Sequence, residues 1–315
     1  MLKLGEFMLS IVIPLFNEEQ NLEPLYGEIK KTVPKFSKSL EIIFVDDGST
    51  DGSLDFLKDL VKKDKIVRVY SFRKNIGRSE ALTLGFQKAK GDYIATLDAD
   101  LQDKPSEIGK LLKKAKEERW DVVCGWRKNR KDPLKKVISS MVFNKLAGIF
   151  WGLNLHDYNG GLKLYKKEAA KSLNLYGGLH RFIPILVHKE GFSVTEVPVV
   201  HEKRLYGKSK YGFSKIWKNI PDLFTMLFLI KYGNRPLHFF GLAGGILFFS
   251  GFSILAYLSV IHFQGQAIGR RPLLFFGMLL ILSGFQVFFT GFLADLMINI
   301  SQRNEKTFPI KYSSD

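Results

Sequence analysis

Over residues 9–125, short apolar runs alternate with stretches in which apolar residues recur at helical spacing. Leu9 to Leu15, Glu41 to Val45, Ile66 to Phe72, Asp92 to Leu97 and Asp121 to Gly125 read as five buried strands. Helices are predicted from Glu18, after the Asp46–Gly52 turn, from Asn75-Ile76-Gly77 to Lys90, and from Pro105 to about Arg119. Asn17 is the expected cap of the first, and Thr50 or Asp51 that of the second. Strands alternating with helices at this spacing make βαβ units, hence an α/β domain with a mostly parallel sheet.

Past residue 126 the alternation weakens. Leu134 to Trp151 is predicted as an amphipathic helix, with Leu134, Val137, Ile138, Met141, Val142 and Leu146 on one face. After residue 236 the pattern changes again. Leu237 to Ile261 carries no charge and Pro272 to Ile300 carries only Asp295, so each is long enough to span a bilayer. Neither has a polar face, unlike the core helices of a soluble protein. Just before them, the apolar piece Pro221 to Ile230 is too short to span and reads as an interfacial helix. The expected plan is a cytosolic domain over 1–211, including helix 134–151, and a juxtamembrane interfacial helix over 212–236. A two-helix hairpin over 237–300 and a tail over 301–315 follow.

Charge sharpens this picture. The 315 residues carry a formal net charge of +16, almost all of it outside the apolar segments. Arg127 to Lys136 holds six basic residues and one acid; Lys203 to Lys218 holds six more, interleaved with Tyr206, Tyr211, Phe213 and Trp217. Beside two spans, such runs suit anionic membrane lipid or a lipid phosphate better than nucleic acid. Lys215, Lys218, Lys231, Arg235, Arg303, Lys306 and Lys311 outweigh Arg270 and Arg271 of the hairpin, so both ends are expected in the cytosol. Met1 to Met8 holds Lys3 and Glu6 and no apolar core, unlike a signal peptide. The single cysteine, Cys124, excludes an internal disulfide and suits a reducing compartment. Oligomeric state is not fixed, although interfacial helices beside two spans offer surface for a homo-oligomer.

The candidate chemistry is acidic. Glu18, Asp46, Asp47, Asp98 and Asp100 all follow predicted strand ends, so the topology gathers them at the carboxyl edge of the sheet, where open α/β sheets bind ligands. Asp98 and Asp100, one residue apart in Thr96-Leu97-Asp98-Ala99-Asp100-Leu101-Gln102-Asp103, suit Mg²⁺ or Mn²⁺ held jointly with substrate phosphates. No strand leads into Gly-x-Gly-x-x-Gly or Gly-Lys-Ser/Thr, which excludes a dinucleotide fingerprint and a P-loop.

Four motifs in order, Pro14-Leu15-Phe16-Asn17-Glu18, Asp46-Asp47-Gly48-Ser49-Thr50-Asp51, Asp98-Ala99-Asp100-Leu101-Gln102-Asp103 and Arg204-Leu205-Tyr206-Gly207-Lys208-Ser209-Lys210-Tyr211, resemble the family 2 glycosyltransferases. With two C-terminal spans, the chain is most similar to the branch acting on polyprenyl phosphates (dolichyl or undecaprenyl phosphate). The resemblance implies a GT-A type domain and inverting transfer of one sugar from a UDP- or GDP-linked donor to the lipid phosphate. By the same resemblance, Pro14, Phe16, Glu18, Val45 and Asp47 line the base and ribose pocket, and Asp98 and Ala99 touch the nucleotide. Asp98, Asp100 and Gln102 hold the metal on the diphosphate. Phe16 stands where relatives often have Tyr, so a hydroxyl contact is lost. Arg127 approaches the phosphates, and Arg204 and Lys210 close over the donor. For the acceptor phosphate the family has a basic residue and a Ser one turn apart; Lys135 or Lys136 with Ser139 or Ser140 fits, and the register stays open. Lys there replaces the usual Arg, a point charge in place of a fork.

Three rivals remain. Processive polysaccharide synthases share the nucleotide half but carry a later Gln-x-x-Arg-Trp; here Arg-Trp occurs only as Arg119-Trp120, before the fifth strand. Transfer to another lipid head group, such as diacylglycerol, would demand a true general base. A non-catalytic, membrane-tethered scaffold that binds nucleotide sugars is disfavoured by acids kept at every motif, since gathered carboxylates repel one another.

Overall fold

The computed structural model describes residues 7–37, 39–128, 152–202, 232, 235–269, 271–301 and 310–314. Two compact units divide the chain: Met1–Tyr211 together with Phe308–Asp315, and Gly212–Thr307.

In the first unit the apolar runs become β1 (Met8–Leu15), β2 (Ser39–Asp46), β3 (Val67–Phe72), β4 (Tyr93–Thr96) and β5 (Val122–Trp126). Three further strands join them: β6 (Lys163–Lys166), β7 (Val194–Pro198) and β8 (Ile310–Ser313). Among the described residues one sheet forms, in the order β7-β5-β6-β4-β1-β2-β3-β8. β1 pairs in parallel with β2 and β4, and β2 with β3, whereas β6 and β8 run antiparallel to their neighbours.

Helices α1 (Glu19–Thr32), α2 (Ser53–Lys63), α3 (Arg78–Lys88) and α4 (Ile108–Glu117) cover the sheet. Leu9, Ile11 and Ile13 point to one face and meet Leu22, Leu25 and Ile29 of α1, Leu57 of α2 and Leu111 of α4. Each such side chain contributes about 1.5–3 kcal/mol by leaving water. Val12 points the other way, against Gly85 of α3, where an added Cβ would come within 2.3 Å of its methyl carbon. The period of two along β1 thus sorts the helices onto two faces.

Several local expectations change. Asn17 does not cap α1; its Oδ1 accepts the Thr50 N–H at 2.8 Å, tying the loop after β1 to the loop after β2. Asp51 does serve the start of α2, where its Oδ1 accepts the Ser53 N–H at 3.0 Å. Pro105 opens a single 3₁₀ turn, Pro105–Glu107, that runs into α4. Helix 134–151 and nearly all of segment 212–236 fall outside the described residues.

The second unit contains the helices Pro236–Phe263 and Pro272–Ser301. Both are long and apolar enough to cross a membrane, and only 11% of the most apolar stretch of each is buried, unlike a core helix. They meet backbone to backbone. A Cβ at Gly244 would lie 2.7 Å from the Gly284 carbonyl oxygen, and one at Gly251 would lie 2.6 Å from that of Gly277. Small residues at a helix interface allow this approach. Gly244→Leu is therefore expected to lower the melting temperature in detergent by several degrees. Gly245→Leu, whose Cβ would meet nothing within 4 Å, should leave it unchanged. Equal melting of the two variants would contradict the packing.

The tail returns to the first unit. β8 pairs with β3, and the Val69 N–H donates to Ser314 Oγ at 2.7 Å. The chain thus leaves the sheet domain, runs through two apolar helices and comes back to its edge.

Candidate active site

Strand order fixes the location. β2 lies on one side of β1 and β4 on the other, so the connections diverge at the carboxyl ends of β1 and β4 and open a crevice there. Three acidic loops border it. After β1 come Phe16, Asn17 and Glu18; after β2, Asp46 and Asp47; after β4, Asp98 to Asp103. Pro14 and Val45, both expected at the nucleotide, are register partners at the ends of β1 and β2.

The Asp46 and Asp47 carboxylates shape the second loop. Asp46 is buried and accepts the Ser71 hydroxyl at 2.6 Å and the Ser49 N–H at 3.0 Å. Asp47 Oδ1 accepts the N–H groups of Ile76, at 2.8 Å, and Gly77, at 3.1 Å, which fixes the entry to α3. Burial raises the Asp47 carboxyl above the ordinary carboxylate range, against those two N–H groups, which act in the opposite sense. Gly48 takes φ +72°, and an added Cβ would come within 2.5 Å of the Lys74 backbone. Only glycine fits both demands.

The Asp98–Asp103 turn is anchored from several sides. Asp98 receives a two-pronged guanidinium from Arg78, the first residue of α3; Nη1 donates to Oδ2 at 3.1 Å and Nη2 to Oδ1. Burial alone would raise this carboxyl, but Arg78, with Lys163 and Arg127 further off, holds it below the usual range. Asp100 is half-buried, and its Oδ1 accepts the Gln102 N–H at 3.2 Å. Between them Leu101 takes φ +60°, a left-handed conformation that a branched side chain seldom adopts. Asp103 is buried; it accepts the Leu162 N–H at 3.1 Å and pairs with His201 Nδ1 at 2.9 Å. The Gln102 amide donates to the Glu202 carbonyl at 3.2 Å, and the Glu202 N–H returns to Gln102 O at 2.9 Å.

Gly161 lies against this turn, and a Cβ there would come within 2.4 Å of Asp98 Oδ2 and 3.0 Å of Asp103 Oδ2. Arg127, expected near phosphates, is held by Asp157 through Nε to Oδ2 at 2.7 Å and Nη2 to Oδ1 at 3.0 Å. The Asp157 N–H in turn donates to Glu196 at 3.2 Å. The turn at Asp157–Gly161 is therefore a part of the crevice wall. His180 packs on the start of α3: its Nδ1 lies 3.0 Å from Ser79 Oγ, and burial, then Arg78 and Arg181, lower its pKa to about 3. The ring is neutral at physiological pH.

Arg78 and Lys163 belong to no motif of the sequence, whereas Gly161 lies in the turn Asp157-Tyr158-Asn159-Gly160-Gly161 that the sequence places near the site. Lys163 is buried, its Nζ donates to the Gly160 carbonyl, and burial lowers its pKa. A signal for Arg78 does exist. A cation in the first turn of a helix opposes the helix dipole and needs an acid partner. Arg204, Lys210, Lys135, Lys136, Ser139 and Ser140 lie outside the described residues.

Among the described residues, no group of three His, Cys, Asp or Glu side chains could enclose a metal ion. The oxygen donors Asp98, Asp100 and Gln102 on one turn instead suit a hard cation that takes its remaining ligands from a diphosphate. The donor set fits Mg²⁺ or Mn²⁺ on that condition.

A parallel sheet with acidic loops at its switch point and an antiparallel β6 defines a GT-A type domain. Its solved neighbours agree. A Pyrobaculum calidifontis mannosyltransferase in complex with GDP-Man and Mn²⁺ superposes with TM-score 0.50 at 16% identity, covering 96% of this chain and 77% of that one. Mycobacterium tuberculosis glucosyl-3-phosphoglycerate synthase, in complex with Mn²⁺ and UDP-glucose, gives 0.53 at 18% identity, covering 71% and 79%. The glycosyl transferase family 2 model matches residues 10–173. The dodecaprenyl-phosphate galacturonate synthase of Rhizobium johnstonii is 38% identical over 302 residues, 94% of this chain and 89% of that protein. The undecaprenyl-phosphate 4-deoxy-4-formamido-L-arabinose transferase of Photorhabdus laumondii is 32% identical over 289 residues, 91% and 87%. The chain belongs to glycosyl transferase family 2.

Proposed function

We propose that this enzyme transfers one sugar, with inversion, from a UDP- or GDP-linked donor to a polyprenyl phosphate at the cytosolic face of a membrane. The observation that carries the reading is the Asp98–Asp103 turn at the switch point of a GT-A sheet, in a chain with two apolar helices. The relatives whose names specify dodecaprenyl and undecaprenyl phosphate support the acceptor.

Breaking the anomeric C–O bond develops positive charge on the sugar and negative charge on the departing nucleotide diphosphate. Mg²⁺ or Mn²⁺ held by Asp98, Asp100 and Gln102 would supply Lewis-acid stabilisation of that leaving group. Arg127, fixed by Asp157, and Arg204 and Lys210 add fixed positive charge near the phosphates. Arg204 follows Glu202, whose backbone is bonded to the Gln102 backbone, by two residues. Pro14, Phe16, Glu18, Val45, Asp47 and Ala99 line the nucleotide. The acceptor phosphate is already an anion near neutral pH, so Lys135 or Lys136 with Ser139 or Ser140 has to position it and not deprotonate it.

A transfer assay in detergent tests this, with undecaprenyl or dolichyl phosphate, Mg²⁺ or Mn²⁺, and a panel of UDP- and GDP-sugars that includes a uronic acid and a 4-formamido pentose. The expected result is a sugar–lipid product that EDTA abolishes. Donor hydrolysis without lipid product would move the acceptor to another head group, and product formation in EDTA would remove the metal. No turnover with any donor would favour the scaffold.

A further inference from the structure

A second concave feature lies at the amino edge of the sheet, at the far end of the strands from the crevice. It is a cavity of about 700 Å³ between the start of β3, the end of α3 and the short helix Lys167–Ser172. Arg68, Lys88, Lys90, Lys167 and Lys171 supply five of its seven lining residues, and none of the seven is acidic.

Its floor is built, unlike a merely solvated basic face. The Arg68 side chain is only 17% exposed. It donates from Nη1 to the Lys88 carbonyl at 2.9 Å and from Nη2 to the Tyr70 hydroxyl at 2.5 Å. Beneath it the buried Glu41 carboxylate lies 3.4 Å from Nη1. Glu41 is otherwise engaged inward, accepting the Lys90 N–H at 2.6 Å and the Ser10 hydroxyl at 2.5 Å. Among the described residues, the Glu41 carboxylate in the floor faces the five cations of the lining. The Lys88 ammonium sits 5.0 Å from the centre of the Tyr70 ring, and Lys171 donates to the Gln87 carbonyl at 2.5 Å. Partial desolvation, and then the neighbouring Lys167, lower the Lys171 pKa. A bound anion would offset the repulsion among these cations. Several charges converging on an oriented guanidinium match phosphate oxygens better than a single carboxylate.

We propose that this cavity is a second ligand site, separate from the transfer centre, that takes a phosphate-bearing anion. Two sources share the chemistry: a soluble polyphosphate and the head group of an anionic phospholipid.

Full-length protein in detergent is titrated calorimetrically with inorganic pyrophosphate, with dihexanoylphosphatidylglycerol, and with zwitterionic dihexanoylphosphatidylcholine as control. The same titrations are run on a Lys167→Glu, Lys171→Glu variant; both side chains are exposed, and neither belongs to the transfer site. The expected result is anion binding by the wild type and an affinity at least about 10-fold lower in the variant, as removal of local attraction requires. Lys167→Ala, Lys171→Ala should lose less, and the basal transfer rate should not change. Loss confined to pyrophosphate assigns a soluble ligand, and loss confined to phosphatidylglycerol a lipid. Equal affinities in wild type and variant, no anion binding by the wild type, or equal binding of the zwitterionic lipid would each overturn the site.

Discussion

Asp100→Ala is expected to lower sugar transfer by about 10³-fold, the scale on which loss of one preorganised electrostatic partner of a developing charge is felt. Asp100 sits half-buried after β4, beside a residue held at φ +60°. Strain of this kind persists where the surrounding structure over-determines it, as here, where Gln102 and Asp103 are bonded to Glu202 and His201. The carboxylate accepts the Gln102 N–H within its own turn, a hydrogen bond worth about 1 kcal/mol. Folding and membrane insertion should therefore survive its removal. Asp100→Asn separates the two roles, since the amide oxygen still accepts the Gln102 N–H but the charge is gone. Radiolabelled product formation with each variant is the readout, alongside melting temperature in detergent. Both variants should be inactive and near wild type in stability. Wild-type-like turnover in either would remove Asp100 from the metal and diphosphate.

Much of this crevice is legible in the sequence because its acids follow strands that are themselves unambiguous. Leu9 to Leu15 and Glu41 to Val45 are almost wholly apolar, so β1 and β2 announce both themselves and the loops after them. β6 announces nothing. Lys163-Leu164-Tyr165-Lys166 carries two lysines in four residues, and the burial of Lys163 is imposed by tertiary packing alone. β8 is four residues long and finds its partner, β3, across more than two hundred residues of chain, a pairing that no local pattern encodes. Asn17 misled for a different reason. Its side chain suits a helix cap and a loop-to-loop tie equally well, and only the nearness of Thr50 decides between them. The Arg78–Asp98 pair is likewise tertiary, joining the start of α3 to the end of β4.

That pair sets up the other large effect. Arg78 occupies the first turn of α3, where a cation opposes the helix dipole by about 0.3–1 kcal/mol, and the fork onto Asp98 offsets this. The side chains of Arg78 and Asp98 are 38% and 25% exposed, so solvent screens the pair, and its loss should cost about 1–2 kcal/mol, less than a fully buried pair. Function should suffer more. Arg78→Met leaves Asp98 without the fork that orients it, and, if Asp98 serves the proposed donor site, kcat/KM for the donor is expected to fall by about 10²-fold, with little change in the KM of the lipid. Arg78→Lys should restore only part of the loss, since an ammonium cannot donate in the same two-pronged geometry. The pH dependence separates positioning from simple destabilisation. In the wild type the Asp98 pKa is depressed, so its stabilising contribution is present above its unfolded value of about 3.9 and fades as pH falls through the lower folded value. Without Arg78, burial acts on Asp98 with less opposition and raises its pKa. The acid limb of kcat/KM should then move to higher pH, and the melting-temperature gap between wild type and variant should narrow as pH drops toward 4. If the variant keeps both its donor kinetics and its acid limb, Asp98 is held in place by something other than Arg78.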